Sequence, residues 1–281
     1  MRRVVPAVLM LSVSYLMGLA LYGETSQKAV ALLRAHAHND YEHERPLLDA
    51  LDQGFCNVEA DVSLTPQGLL VAHDLKDVKA DRTLESLYLK PLRERVTANG
   101  GFVIAKGVPL TLLIDIKSEA ERTYSAIDEL LARNADILSV TRDGEHRVGA
   151  VTVVISGNRP IETMRRQAVR YAGIDGRTSD LVESTQTPPD LMPWISARWG
   201  EDATLSSFRW KGDGPIPAAE RERLRAYVQL AHAQKRKVRF WATPEKPEFW
   251  KELVAAEVDL IGTDKLAELK EFLSQATTTT K

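Results

Sequence analysis

Apolar positions in this chain follow two rhythms, one alternating with polar residues and one recurring every three or four. The alternating rhythm is sharpest in "NVEADVS" at 57–63. Read as a strand, it puts Val58, Ala60 and Val62 on one face and Glu59 and Asp61 on the other. "TLLIDIK" at 111–117 sets Leu112, Ile114 and Ile116 against Asp115 and Lys117. "LLRAHAHND" at 32–40 sets Ala35 and Ala37 against His36 and His38. Further strands are predicted at 149–156, 169–174, 192–197, 237–242 and 258–263, the first three spanning 31–37, 56–63 and 110–117. The helical rhythm fills 46–53, 119–133, 160–168, 216–235 and 246–256, and Pro46, Pro160 and Pro247 stand where helices begin. Eight β units alternating with helices over about 250 residues predict an α/β fold, a single (β/α)8 TIM barrel. The alternative, an open doubly wound sheet, lacks its Gly-rich phosphate loop after an early strand.

Composition narrows this picture only slightly. A formal charge of −2 gives no basic footprint for nucleic acid, so no nucleic-acid partner is expected. The single cysteine, Cys56, rules out an internal disulfide and reads as a small buried hydrophobe. Arg2 and Arg3 precede an apolar run from Val4 to Leu21, with small residues at Gly18 and Ala20. That pattern suits a secretory signal over residues 1–23 or, with a run of near-spanning length, an uncleaved membrane anchor. The expected domain plan is this leader, a barrel over 30–273 and a polar tail over 274–281. The expected location is secreted or periplasmic, with membrane association through the N-terminus an open alternative.

The polar faces carry the chemistry. Active sites of barrels form at the C-terminal strand ends, where these charges fall. Glu59, Asp61 and Asp115 are hard oxygen donors that repel one another unless a cation or proton intervenes, so a divalent Mg²⁺ or Ca²⁺ is the expected cofactor. A salt-bridged structural cluster is the competing reading. His38 and His73 are acid–base candidates, with His36 an alternative to His38 on the first strand and Asp74 a neighbour able to orient His73. Lys117 suits a phosphate oxygen or a carboxylate partner. Asn39, Arg159 and Trp241 stand near strand ends as substrate-binding candidates, as do Asp175 and Arg198. Trp210 falls in a loop that suits a cover for the mouth, and His43, His146 and His232 read as incidental.

Taken together these residues resemble the phospholipase-C-like phosphodiesterase superfamily, which holds glycerophosphodiester phosphodiesterases, spider-venom sphingomyelinase D and bacterial phosphatidylinositol phospholipases. The resemblance rests on "GFCNVEADVSLTPQGLLVAHD" at 54–74, supported by "LLIDIK" at 112–117, "FWAT" at 240–243 and "VDLIGTD" at 258–264. "HAHNDY" at 36–41, "SGNRP" at 156–160 and "RFWATP" at 239–244 look more like the altered-inheritance-of-mitochondria-6-like branch. The resemblance implies a barrel and metal-dependent cleavage of a small-molecule or lipid-headgroup phosphodiester. It implies Glu59, Asp61 and Asp115 as metal ligands, with His73 and a first-strand histidine as catalysts. The His-Arg-Gly opening of glycerophosphodiesterases is missing here, which sets glycerol recognition apart from that family. Two other readings remain at this stage: a ligand-binding barrel without turnover, and a phosphomonoesterase or amidohydrolase, whose H-x-H opening His36-Ala37-His38 also satisfies.

Overall fold

A computed structural model describes residues 29–183, 186–201, 205 and 207–278. The expected leader at 1–23 lies outside them. Among the described residues, no helix is long and apolar enough to cross a membrane.

Eight parallel strands close into a barrel. They are β1 (Leu32–Ala37), β2 (Phe55–Thr65), β3 (Leu110–Ile116), β4 (Val151–Gly157), β5 (Ala172–Gly176), β6 (Trp194–Arg198), β7 (Lys237–Trp241) and β8 (Leu260–Thr263). They pair in chain order, and β1 pairs with both β8 and β2 to complete the ring. The helices between and after them are α1 (Leu48–Gln53), α2 (Lys90–Ala98), α3 (Ala120–Ala132), α4 (Ile161–Arg166), α5 (Asp180–Glu183), α6 (Ala218–Ala233), α7 (Pro247–Ala255) and α8 (Leu266–Thr278).

Strand alternation sorts the residues as the pattern required. Val58, Ala60, Val62, Leu112, Ile114, Val153 and Ile155 are fully or almost fully buried in the large cluster under the helices. The inward set fills the lumen in layers. Its floor is a small apolar cluster of Leu113, Val154, Trp194 and Leu260. Above that floor the inward residues turn polar. The His36 ring meets the edge of Trp194 at 6.0 Å between centroids, marking the boundary between the two layers.

Local signals explain several boundaries. Glu119 caps α3 by accepting the backbone N–H groups of Glu121 and Arg122 at 3.0 and 2.9 Å. Gly54 ends α1 with φ of 88°, and a Cβ there would stand 2.1 Å from the Val30 carbonyl oxygen. Only glycine accommodates both the left-handed turn and that approach.

The structure departs from the expected plan at several points. Residues 169–170 do not open β5; they form an antiparallel accessory sheet with Val140–Arg142 and Glu145–Arg147 at the N-terminal end of the barrel. Arg170 is held there by Asp190 at 2.6 Å, a partner 20 residues away that local pattern does not reveal. α2 was not anticipated, although Leu89, Leu92 and Val96 recur at helical spacing and are buried. α8 runs on to Thr278, so the barrel's last helix takes in part of the expected tail.

Candidate active site

The centre of the site follows from parallel register. Asp61 of β2 lies directly beside Asp115 of β3, and Asp115 directly beside Ser156 of β4. Adjacent strands stand about 4.8 Å apart, so the two inward aspartates are forced together. Glu59, one inward position deeper on β2, joins them. A ligand oxygen from each of the three lies within 4.8 Å of the others.

Each carboxylate is held differently. Asp61 is almost fully buried, and one oxygen, Oδ2, gathers three neighbours. The Tyr41 hydroxyl donates to it at 2.8 Å, His73 Nδ1 stands at 2.8 Å and Lys117 Nζ at 3.0 Å. The other oxygen, Oδ1, is buried and has no hydrogen-bond partner among the described residues. Glu59 Oε2 is bonded by His36 Nε2 at 2.9 Å and by the Arg239 guanidinium. Burial alone would raise the Glu59 proton affinity, but Arg239 and His36 hold its carboxyl well below the usual range. Asp115 lies 3.3 Å from Lys117 through Oδ2. Burial, with Asp61 and Glu59 nearby, pushes its carboxyl up to about 6 against the pull of Lys117. Burial opposes protonation of Lys117, but the neighbouring carboxylates of Asp115 and Asp61 raise its proton affinity.

A turn guards the third carboxylate. Gly157 has φ of 66°, and a Cβ there would stand 2.1 Å from Asp115 Oδ1 and 2.4 Å from the Ile116 carbonyl oxygen. The glycine of "SGNRP" therefore makes room for Asp115.

The three histidines separate by environment. His36 is fully buried, and burial together with Arg239 lowers it to about 4. It is a neutral ring that donates to Glu59, with Nδ1 unpartnered. His38 stands near the rim with Nδ1 at 2.8 Å from Asp264. Burial opposes its protonation, yet the Asp264 hydrogen bond and the charge of Glu59 raise it. His73 is held by Asp61 and has 61% of its side chain exposed, so its Nε2 side is open to the mouth. Asp74, the expected orienting neighbour, pairs with Lys76 instead, because strand pairing brings Asp61 to the ring first.

The remaining residues divide. Asn39 adopts the left-handed conformation and lies 2.9 Å from the Tyr41 hydroxyl. The Tyr41 hydroxyl has one proton and stands between two acceptors, Asn39 Oδ1 at 2.9 Å and Asp61 Oδ2 at 2.8 Å. Arg159 and Trp241 both reach the mouth: Arg159 donates to the Asp175 carbonyl at 2.5 Å, and the Trp241 ring lies 5.2 Å from the Arg177 guanidinium. Trp210 is not a cover. It is buried, stacked on Phe249 at 5.2 Å, with its carbonyl accepting from Trp199. His146 and His232 bond Thr141 and Asp259, outside the carboxylate cluster.

Sequence reasoning missed Arg239, Tyr41, Arg177 and Asp264. Arg239 lies on the inward face of β7, two positions before Trp241, but its partner Glu59 is 180 positions away. A cleft of about 200 Å³ opens beside His38, Arg239, Trp241 and Asp264. A roomier one, of about 580 Å³, lies against the accessory sheet, away from these groups.

The residues fit a divalent cation. Three carboxylates face two full positive charges, Lys117 and Arg239, because His36 is neutral. One buried carboxylate oxygen has no protein partner, and the donors are all hard oxygens rather than imidazoles or thiolates.

A parallel barrel with a carboxylate triad and flanking histidines at its C-terminal mouth defines the class of barrel phosphodiesterases. The chain matches the AIM6-like phosphodiesterase domain over residues 24–174, more than half its length, and it belongs to that family. Residues 237–267 match the glycerophosphoryl diester phosphodiesterase family. Among curated relatives, "Altered inheritance of mitochondria protein 6 homolog" from Arthroderma benhamiae is 28% identical, over 87% of this chain and 85% of that protein. "Altered inheritance of mitochondria protein 6" from Eremothecium gossypii is 29% identical, over 86% and 69%. A crystal structure of a glycerophosphodiester phosphodiesterase from Parabacteroides distasonis superposes with a TM-score of 0.51 at 15% identity, over 89% of this chain and all of that one, which shows the shared barrel.

Proposed function

We propose that this chain hydrolyses phosphodiesters at the barrel mouth with a divalent cation held by Glu59, Asp61 and Asp115. The observation that carries this reading is the division of labour in Asp61: Oδ2 binds His73, Lys117 and Tyr41, while the buried Oδ1 is left over. Hard oxygen donors favour Mg²⁺ or Ca²⁺. The ion, when bound, supplies Lewis-acid stabilisation of charge on the phosphoryl oxygens. It also turns the local shortfall of one positive charge into an excess of one, matching a singly charged diester.

The protein's own groups supply the rest. Lys117 is a point charge beside the phosphate position. His73, aligned through Nδ1 by Asp61, and His38, aligned through Nδ1 by Asp264, each have Nε2 available to move a proton. One takes the proton of the nucleophile and the other gives one to the leaving oxygen. His36 is a positioning residue: neutral and buried, it fixes Glu59. The substrate class is a small-molecule or lipid-headgroup diester.

The test uses chelator-treated protein, bis-p-nitrophenyl phosphate and a glycerophosphodiester, with products read by phosphorus NMR. Conversion to a monoester or a cyclic phosphate is expected only after Mg²⁺ or Ca²⁺ is restored. His73→Ala is expected to lower turnover by about 10²–10⁴-fold at an unchanged melting temperature. Turnover that ignores the chelator, or a fully active His73→Ala variant, defeats the reading.

A further inference from the structure

Beyond β4 the mouth changes sign. Asp175, inward on β5, is fully buried and saturated with donors: Ser156 Oγ at 2.9 Å, Ser196 Oγ at 2.5 Å and Arg177 Nη1 at 2.8 Å. A second guanidinium, that of Arg159, stands beside the first. Its hydrogen bond goes to the Asp175 backbone carbonyl rather than to a carboxylate, and its buried Nε has no partner among the described residues. With the carboxylates of Asp180 and Asp115 also acting on Arg159, two guanidinium groups thus crowd Asp175. They are partly desolvated and oppose each other, and burial followed by the charge of Arg177 lowers the proton affinity of Arg159. Such an arrangement is costly unless an anion joins it. Arg177 is further braced by the face of Trp241, 5.2 Å away.

This cluster is separate from the carboxylate centre but coupled to it by register. Ser156 pairs with Asp115 on one side, and its hydroxyl lies 3.1 Å from Arg177 Nη2 on the other. Two strand spacings, about 10 Å, separate Asp115 from β5, which Arg177 directly follows.

Resting on the phosphodiesterase reading for its substrate, we propose that Arg159, Arg177 and Trp241 form a second anion subsite. It takes an additional phosphomonoester or carboxylate carried by the alcohol portion of the diester. The substrate class is then a doubly anionic diester, and a quaternary-ammonium headgroup is disfavoured because it would face two guanidiniums across the mouth.

Binding and turnover test this separately. Inorganic phosphate is titrated calorimetrically into the full chain held in chelator, so that cation-bound phosphate does not contribute. Wild type is expected to bind one equivalent. Arg177→Gln and Arg159→Gln are each expected to weaken binding at least tenfold, and Arg177→Lys less so. If Arg177→Gln does not fold, judged by its melting curve, Arg159→Gln decides. In the turnover arm, kcat/KM is compared for a diester with a phosphomonoester on its alcohol and one with a choline arm. The ratio is expected to favour the former at least tenfold in wild type and to fall toward one in both glutamine variants. Absence of phosphate binding by wild type, equal binding by a folded Arg159→Gln, or preference for the choline diester overturns the subsite. Phosphate binding that meets these expectations alongside no hydrolysis of any diester overturns the phosphodiesterase reading alone.

Discussion

The strands β1 to β4 and the strands β5 to β8 contribute opposite kinds of residue to one mouth. The first half supplies all three carboxylates of the cluster, the three histidines around it and Lys117. The second half supplies Arg177, Arg239, Trp241 and Asp264, groups that brace or balance the first. Glu59 is held by Arg239 from β7, and His38 by Asp264 just after β8. The site is therefore assembled by barrel closure. Groups with chemical work come from neighbouring early strands, and the charges that set their protonation come from across the lumen.

The comparison can be broken first at the carboxylate centre. Asp115→Asn removes a charged oxygen donor from the early half, and diesterase activity is expected to fall by about 10³-fold or more, with loss of cation binding in calorimetry. Residual activity near wild type would show that the early half does not house the ion. Next comes the late half's buried cation. Arg239→Met leaves Glu59 charged and buried without its guanidinium, and unfolding stability is expected to drop by about 3–5 kcal/mol, read as a lower denaturant midpoint. A variant as stable as the parent would mean that the two halves are not coupled through this pair.

Gly157→Ala perturbs the join between halves. Its methyl group intrudes on Asp115 Oδ1 in a backbone conformation that favours glycine. Cation affinity is expected to fall by about 10–100-fold, the range seen when the support of a metal ligand is disturbed. Unchanged affinity would show that Asp115 has another way to sit. The smallest effect is the most diagnostic. Asp264→Asn replaces the charged acceptor that raises His38 with a neutral one. With that support gone, His38 releases its proton at lower pH, so the limb of the pH–rate profile belonging to His38 moves toward acid. Movement of the acidic limb assigns His38 as the base, and movement of the basic limb assigns it as the acid. An unmoved profile removes His38 from the proton transfers.

The contrast between halves also explains what reading the sequence recovered. Glu59, Asp61, Asp115 and Lys117 were legible because each sits two positions from another charge inside an apolar strand, and alternation forces such neighbours onto one face. The alternation did not tell which first-strand histidine is which. His36 and His38 share a face, and only depth in the barrel separates a buried neutral ring from a rim residue. Trp210 misled because its loop position suggests exposure, whereas helix α7 provides Phe249 to stack against it.

The sequence by itself determined the alternation of strands and helices, the inward face of each early strand and therefore the carboxylate cluster, because these depend on contacts within a few residues or between neighbouring strands. Only the tertiary structure paired Arg239 with Glu59 and Asp264 with His38. Those partners lie on strands far apart in the chain. Only the closed ring, with its fixed spacing and stagger, brings them within hydrogen-bonding reach.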